Sequence, residues 1–204
     1  MESYRVMAET LRPDICVIGG GPGGLSVAAA STAFGVPTVL VESRKMGGDS
    51  LNAGCVPSKA LLAAARRAKA TRSAKLFGVE VRDTVVNFSG VHRHVHSVIA
   101  AVAPADSAER FTGLGVRVIH AQAKFKDRNT VVAGDIEIRA RRFVIATGSK
   151  PALPAIPGLD SGPYLTSESI FDLTERPEHL IIIGAGSTGL ELAQGFRRLG
   201  SSVT

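Results

Sequence analysis

Two glycine-rich turns, each preceded by an apolar run, constrain the fold of this 204-residue chain more than any other feature. The first follows the run Ile15–Ile18 and has the form G-x-G-x-x-G, with Gly19, Gly21 and Gly24 as its glycines. In a strand–turn–helix unit, the first glycine allows a tight turn and the second lets backbone amides approach a pyrophosphate. The third allows the helix to pack closely on the strand. The pattern predicts a Rossmann-like unit that binds a dinucleotide at a helix N-terminus.

A second copy of the pattern begins 165 residues later. The apolar run Leu180–Ile183 is followed by Gly184, Gly186 and Gly189, and then by a helix-like segment over 190–199. The repeat predicts a second dinucleotide-binding unit of the same kind.

Glu42 ends the second apolar run of the first unit, 18 residues beyond Gly24. An acid at this position is placed to accept hydrogen bonds from an adenosine ribose. The same offset of 165 would place its counterpart at 207, beyond Thr204. We therefore expect the complete polypeptide to continue, and these residues do not encode a choice between NAD and NADP.

The residues between the two turns predict the rest of a first domain. Pro57 favours the first turn of a helix, and valines at helical spacing predict another helix from Val91 to about Ala103. Strand-like runs lie at 116–119, 130–132 and 136–138, and the last run extends over 143–148. We predict that these runs form a small antiparallel insertion. The proline-rich stretch 150–158 predicts a boundary between a domain over 1–150 and a linker with the start of a second domain over 151–204.

Composition narrows the functional classes. The formal charge is +6, but the basic residues are scattered and aromatics make up only 5%, so the chain lacks the stacking platform of a nucleic-acid-binding protein. The opening Met1–Arg5 has no apolar leader, and no run approaches the roughly 18 apolar residues of a membrane span. Two cysteines are too few for a disulfide framework. We expect a cytoplasmic protein with no nucleic-acid or membrane partner.

Four motifs in this order resemble the pyridine nucleotide-disulfide oxidoreductases, the flavoproteins that include dihydrolipoamide dehydrogenase, mercuric reductase and glutathione reductase. They are the first glycine-rich turn with Glu42, the segment 47–59, the turn 146–148, and the segment 184–191. The ending Val56-Pro57-Ser58-Lys59 resembles the lipoamide and mercuric branch, and 106–111 is similar to mercuric-reductase-like members. The resemblance implies an α/β fold: a Rossmann-like FAD-binding domain whose second segment is missing, followed by the truncated start of an NAD(P)-binding domain.

The resemblance also assigns cofactor contacts. It places FAD on the first unit, with Glu42 on the ribose and Gly48 and Asp49 near the pyrophosphate. Ala123, Thr147 and Gly148 are implied at the adenosine end. NAD or NADP would lie on the second glycine-rich turn.

The segment 47–59 resembles a redox-active dithiol motif in which Ser50 occupies the position of one cysteine. Cys55 is similar to the flavin-proximal thiol, and its place just before a helix favours a thiolate. Lys59 resembles the lysine that approaches flavin N5, where a cation stabilises the reduced flavin, and Glu191 resembles the acid that pairs with it. Cys16 is expected to be inert packing.

Ser50 departs from the family pattern at a position of the redox-active dithiol. This affects the chemistry, because a hydroxyl can neither form a disulfide nor act as an interchange thiol. It is either an engineered substitution or a natural variant with single-thiol chemistry. The family's dimer-interface domain and the histidine base of its partner subunit would lie beyond Thr204. We therefore expect a homodimer at full length, and a fragment that is inactive by itself.

Three functions remain open at this stage. The first is an FAD-dependent reductase that passes electrons from NAD(P)H through a thiol pair to a small-molecule disulfide or a metal ion. The second is a single-cysteine oxidase or peroxidase in which Cys55 becomes a sulfenic acid. The third is a non-catalytic flavin-binding module.

The run His92-Arg93-His94-Val95-His96 raises the question of a metal site. On a strand all three histidines would share a face, whereas on the predicted helix only His92 and His96 align. No carboxylate or cysteine follows at ligand spacing. We favour a polar helix surface over a metal site.

Overall fold

The computed structural model describes residues 9–204, so the predicted absence of a leader at Met1–Arg5 lies outside the described residues. The described chain forms two compact units, one of residues up to 50 with 102–149 and one of residues 51–101 with 150–204. The chain thus enters the second unit at 150, near the predicted boundary, but 51–101 also belongs to that unit. Across 9–204, no helix is both long and apolar enough to cross a membrane.

A four-stranded parallel sheet organises the first unit. Its order is β4 (Arg117–His120), β3 (Thr38–Glu42), β2 (Ile15–Ile18) and β8 (Arg142–Ile145). Alternate side chains of β2 and β3 leave the sheet on opposite sides, so both faces must be covered. Helices α1 (Pro22–Ala33) and α5 (Ala108–Gly113) cover one face, where Val17 and Leu40 pack against Leu25 and Phe111.

A second sheet covers the opposite face. It has the order β1 (Glu9–Leu11), β7 (Ile136–Arg139), β6 (Thr130–Ala133) and β5 (Ala123–Asp127). The pairs β5–β6 and β6–β7 are antiparallel, whereas β1 runs parallel to β7. Cys16, Val39 and Val41 from the parallel sheet pack against Val131 and Ile138 of this second sheet.

The predicted antiparallel insertion is therefore only partly correct. Strands β6 and β7 belong to it, but β4 and β8 pair in parallel with β3 and β2. An alternating apolar pattern identifies a strand without identifying its partner or direction, which is why the prediction grouped them together. The mixed α/β class is confirmed.

Helices build the second unit. α3 (Cys55–Ser73) packs against α6 (Ser187–Leu199), and Leu61 and Phe196 share a buried core with Phe88 and Val95 of α4 (Phe88–Val102). Gly195 lies where an added Cβ would already contact Leu61 and Leu62 at 3.5 Å. A short parallel pair joins β9 (His179–Leu180) to β10 (Ser202–Val203). In this unit, one-turn 3-10 helices lie at Ala74–Phe77, Leu159–Ser161 and Ile170–Asp172. The short helix α2 (Gly48–Asn52) begins in the first unit and ends in the second, and a further 3-10 helix at Ala103–Asp106 belongs to the first unit.

Candidate functional site

The first glycine-rich turn connects β2 to α1, and at two of its glycines there is no room for a side chain. Gly19 has φ +111°, and a Cβ there would lie 2.1 Å from the carbonyl oxygen of Ala146. A Cβ on Gly24 would lie 1.9 Å from the carbonyl oxygen of Gly19. Gly21 is the N-cap of α1, which has no side-chain cap and no acidic residue in its first turn. The first amides of α1 are thus available to an anion.

The segment before α2 lies against this turn. The amide of Gly47 donates to the carbonyl oxygen of Gly20 at 2.8 Å. Gly48 has φ +56°, and a Cβ there would approach Cα of Gly21 to 2.7 Å. Asp49 follows in the first turn of α2, with an exposed side chain. The predicted pyrophosphate residues Gly48 and Asp49 therefore adjoin the glycine-rich turn.

The side chain of Glu42 accepts hydrogen bonds from two backbone amides. Its carboxylate accepts the amide of Gly20 at 2.5 Å and the amide of Arg44 at 2.6 Å, and the residue is only 9% exposed. The carboxylate thus ties the end of β3 to the glycine-rich turn. Each carboxylate oxygen has further acceptor capacity for ribose hydroxyls. Sequence reasoning predicted the ribose contact, which stays a prediction, and missed the bond to Gly20.

The residues predicted at the adenosine end occupy two places. Thr147 and Gly148 directly follow β8, and the carboxyl ends of β2, β3 and β8 meet at one edge of the parallel sheet. Gly148 is exposed and has φ +68°. Ala123 instead begins β5, where it pairs with Ala133 in the other sheet. Contact of these three residues with adenosine stays a prediction.

In the second unit, Cys55 is the first residue of α3. Pro57 lies in the first turn, as predicted, but Cys55 is inside the helix rather than just before it. Gly54 is the N-cap, and its carbonyl oxygen accepts the amide of Ser58 at 3.0 Å. Cys55 is exposed to solvent.

Lys59 lies one helical turn beyond Cys55 and meets Glu191 of α6. Its Nζ is 2.7 Å from Oε1 and 2.8 Å from Oε2 of Glu191, although 132 residues separate the two in sequence. Their side chains are 59% and 36% exposed. An ion pair with this exposure contributes at most about 1 kcal/mol to stability. Its principal effect is to hold the ammonium group in one place.

The second glycine-rich turn repeats the local geometry of the first. Gly184 has φ +109°, and a Cβ on Gly189 would lie 2.7 Å from the Gly184 carbonyl oxygen. Gly186 is the N-cap of α6 and again provides no side-chain cap. The predicted helix is present, beginning at Ser187. The strand is shorter than the predicted run, although the amide of Ile182 still donates to the carbonyl oxygen of Thr204 at 2.8 Å.

The two cysteines differ in character. Cys16 lies in β2 with no exposed surface, and burial raises the pKa of its thiol to about 11. It packs in the core, as predicted, and cannot replace a thiol at Ser50, which lies half-buried in α2. Within residues 9–204, Cys55 is thus the one exposed thiol.

The histidine run lies on α4, as predicted. His92 and His96 align with ring centroids 4.2 Å apart, and His94 is exposed. Across 9–204, no three ligating side chains converge as a metal site.

Residues 13–204 match the family described as pyridine nucleotide-disulphide oxidoreductase. The chain is 38% identical to a mercuric reductase of Streptomyces lividans and 36% identical to a dihydrolipoyl dehydrogenase of Chlamydia trachomatis. Each match covers 94% of this chain but 42% of the relative. Among solved structures, it is similar to a Cu(II) complex of the HOCl-induced flavoprotein disulfide reductase RclA from Escherichia coli. That match has a TM-score of 0.80 and 26% identity, over 94% of this chain and 41% of that one. The chain therefore spans about two fifths of these relatives and belongs to the pyridine nucleotide-disulphide oxidoreductase family.

Proposed function

We propose that the complete protein is an oxidoreductase in which electrons from NAD(P)H pass through FAD and Cys55 to a small-molecule disulfide or a metal ion. Enzymes of this family use FAD and NAD(P)H. The observation that carries the proposal is the array on α3: an exposed thiol at the helix start, with a lysine one turn later held by Glu191.

The residues of the first unit fit FAD. The uncapped amides of α1 suit a pyrophosphate, and the backbone approach of Gly48 to Gly21 leaves no room for a side chain on Gly48. Glu42 is already oriented by Gly20 and has free acceptor capacity for a ribose. Gly184, Gly186 and Gly189 offer a comparable helix end to the pyrophosphate of NAD or NADP.

Bound FAD would accept a hydride from NAD(P)H and supply two electrons to the thiol site. Lys59, fixed by Glu191, holds a positive charge at the site and so favours anions near it. Cys55, at the start of α3, provides the nucleophilic sulfur. Glu191 acts through Lys59 and is a positioning residue.

Ser50 limits this chemistry. Attack of the Cys55 thiolate on a substrate disulfide forms one mixed S–S bond and releases one substrate thiolate. A thiol at 50 would break the mixed bond, release the second substrate thiol and leave a disulfide between positions 50 and 55, which two electrons from NAD(P)H through FAD would reduce; a hydroxyl at 50 cannot take part in this exchange. Turnover with Ser50 would thus require those two electrons to cleave the mixed disulfide itself, whereas a metal-ion acceptor can be reduced without a mixed disulfide.

The test is Ser50→Cys in the complete polypeptide, with NAD(P)H oxidation followed in the presence of lipoamide or Hg(II). We expect disulfide reduction to rise at least about tenfold, while bound FAD per subunit stays constant. Ser50→Ala is the matched control and should leave the activity at the Ser50 level. Failure of Ser50→Cys to add disulfide or metal-ion reduction, with FAD bound, would contradict a dithiol route.

A single-cysteine peroxidase is the second candidate, because Cys55 is exposed whereas Cys16 is buried. The thiolate would attack a peroxide oxygen, forming an S–O bond and breaking the O–O bond, with hydroxide leaving. Two electrons from NAD(P)H would return the sulfenic acid to the thiol and release water. Trapping with a sulfenate-selective reagent after peroxide should label Cys55, and an unlabelled Cys55 would exclude this route.

A non-catalytic flavin-binding module is the third candidate. It predicts bound FAD without NAD(P)H oxidation in either the Ser50 or the Ser50→Cys protein. A homodimer at full length, a cytoplasmic location and the absence of nucleic-acid and membrane partners are further proposals. They rest on the family and on composition.

A further inference from the structure

His92 and His96 form a close pair on α4. They are four residues apart on one helix face, both are half-buried, and their ring centroids are 4.2 Å apart with an angle of 46° between the rings. Two histidines at this helical spacing are a recurrent pair of metal ligands. The ion pairs and the proposed thiol chemistry described above use neither of them.

A contact with a distant part of the chain orients the imidazole ring of His96. Its Nε2 lies 3.2 Å from the backbone carbonyl oxygen of Phe171, 75 residues away in sequence. A carbonyl oxygen only accepts, so a neutral His96 in this contact carries its proton on Nε2 and leaves the lone pair on Nδ1. Metal-binding histidines characteristically donate their other ring N–H to such a carbonyl group.

The surrounding charge also favours a cation. Asp172, next to Phe171, has Oδ1 4.0 Å from Nε2 of His96, and its side chain is 74% exposed. A carboxylate at this distance places negative charge beside the ring and so favours a cation on it. The sequence alone did not reveal this, because the nearest carboxylate in space is remote along the chain.

We propose that His92 and His96 chelate one divalent transition-metal ion that prefers tetragonal geometry, with Cu(II) as the best match. Among divalent first-row ions, Cu(II) has the highest affinity for sites built from nitrogen ligands, and its tetragonal geometry leaves the remaining positions to water. The two rings lie on one helix face with centroids 4.2 Å apart, so one ion can reach both.

The site has two protein ligands, and water completes the coordination. This agrees with the absence of three converging ligating side chains across residues 9–204. The site is separate in chemistry from Cys55, because imidazole nitrogens rather than a thiolate bind the ion. It also needs neither FAD nor NAD(P)H.

The test is Cu(II) titration of the untagged complete polypeptide carrying Cys55→Ala, which removes a competing and oxidisable thiol. We expect one Cu(II) per chain with a tetragonal electron paramagnetic resonance spectrum that shows nitrogen ligation. His92→Gln should weaken binding at least about tenfold and change the spectrum. That variant keeps the contact of His96 with Phe171, so it should remain folded.

His94→Gln is the matched control, because His94 lies on the same helix but on a different face. Its affinity and spectrum should equal those of the parent. Cu(II) should also raise the thermal midpoint of the parent and of His94→Gln, but not that of His92→Gln. Equal Cu(II) affinities for His92→Gln and His94→Gln, or a spectrum without nitrogen ligation, would overturn the proposal.

Discussion

Adding one methyl group to the first glycine-rich turn is the sharpest available perturbation. In Gly24→Ala, the new Cβ would lie 1.9 Å from the carbonyl oxygen of Gly19 and 3.1 Å from Cγ1 of Val17. The closest of these atoms is backbone, so it cannot rotate away. An ordinary contact needs about 3.4 Å, so α1 or the turn must move by about 1.5 Å. Because Val17 lies in the fully buried core of β2, that movement disturbs the packing of the parallel sheet.

Gly23→Ala, one residue earlier in the same helix, is the matched control. A Cβ at Gly23 would meet no atom within 4 Å. Replacing a helical glycine with alanine then stabilises the protein by roughly 0.5–1 kcal/mol. Overpacking at Gly24 costs roughly 1–3 kcal/mol or more. The two variants should therefore differ in free energy of unfolding by about 1.5–4 kcal/mol, with opposite signs relative to the parent.

Urea unfolding followed by circular dichroism measures both effects through the transition midpoint at constant slope. FAD titration by fluorescence adds a second measurement, because displacement of the turn should weaken binding in Gly24→Ala and spare Gly23→Ala. The reasoning is refuted if the two variants unfold at the same urea concentration. It is also refuted if Gly24→Ala binds FAD as tightly as the parent, because the turn would then accommodate the methyl group.

Three further predictions concern other parts of the molecule. Glu191→Gln should change the free energy of unfolding by less than about 1 kcal/mol, because the ion pair with Lys59 is exposed. The same substitution should slow NAD(P)H-driven flavin reduction in the complete polypeptide at least about tenfold. Unchanged rates in stopped-flow measurements would exclude a role for Glu191 in the mechanism. Burial raises the pKa of Cys16 from 9.0 to about 11, so between these pH values only the unfolded chain loses the proton and stability falls by roughly 2–3 kcal/mol. Urea unfolding from pH 8 to 11 should show this loss in the parent and not in Cys16→Ala, and parallel pH profiles would contradict it. Ser107→Ala should lower the free energy of unfolding by about 1 kcal/mol, because the Ser107 hydroxyl accepts a hydrogen bond from the Arg110 amide at the start of α5. Ser107→Thr should retain most of the stability, and thermal unfolding of both variants measures the difference.

The elements with a strong local signal were predictable from the sequence. The glycine pattern located α1 and α6, since backbone contacts at Gly24 and Gly189 admit no side chain. Valine spacing located α4, where Val95 is buried and Val91 packs beside it. In each case the feature that determines the structure lies within the segment itself, so a single sequence reveals it.

Features that depend on distant partners were not predictable from local residue patterns, and the contact of Lys59 with Glu191 was expected only from the family resemblance. β5 is exposed along most of its length, with Lys124 and Lys126 in its middle, so it lacks the apolar pattern of a strand. Lys126 pairs there with Glu137 of β7. Likewise, nothing near Glu42 in sequence signals that its carboxylate accepts the amide of Gly20. Such contacts follow from the tertiary fold, which no local window contains.

The residues around Cys55 bear on how Ser50 would affect the proposed chemistry. Cys55 lies at the N-terminus of α3, one turn before a lysine that is held by Glu191. Cys16 cannot compensate, because it is buried and its pKa is raised. The pair of Lys59 and Glu191, 132 residues apart in sequence, fits the proposed route of electrons to Cys55, in which Ser50 would affect the exchange step with a disulfide substrate.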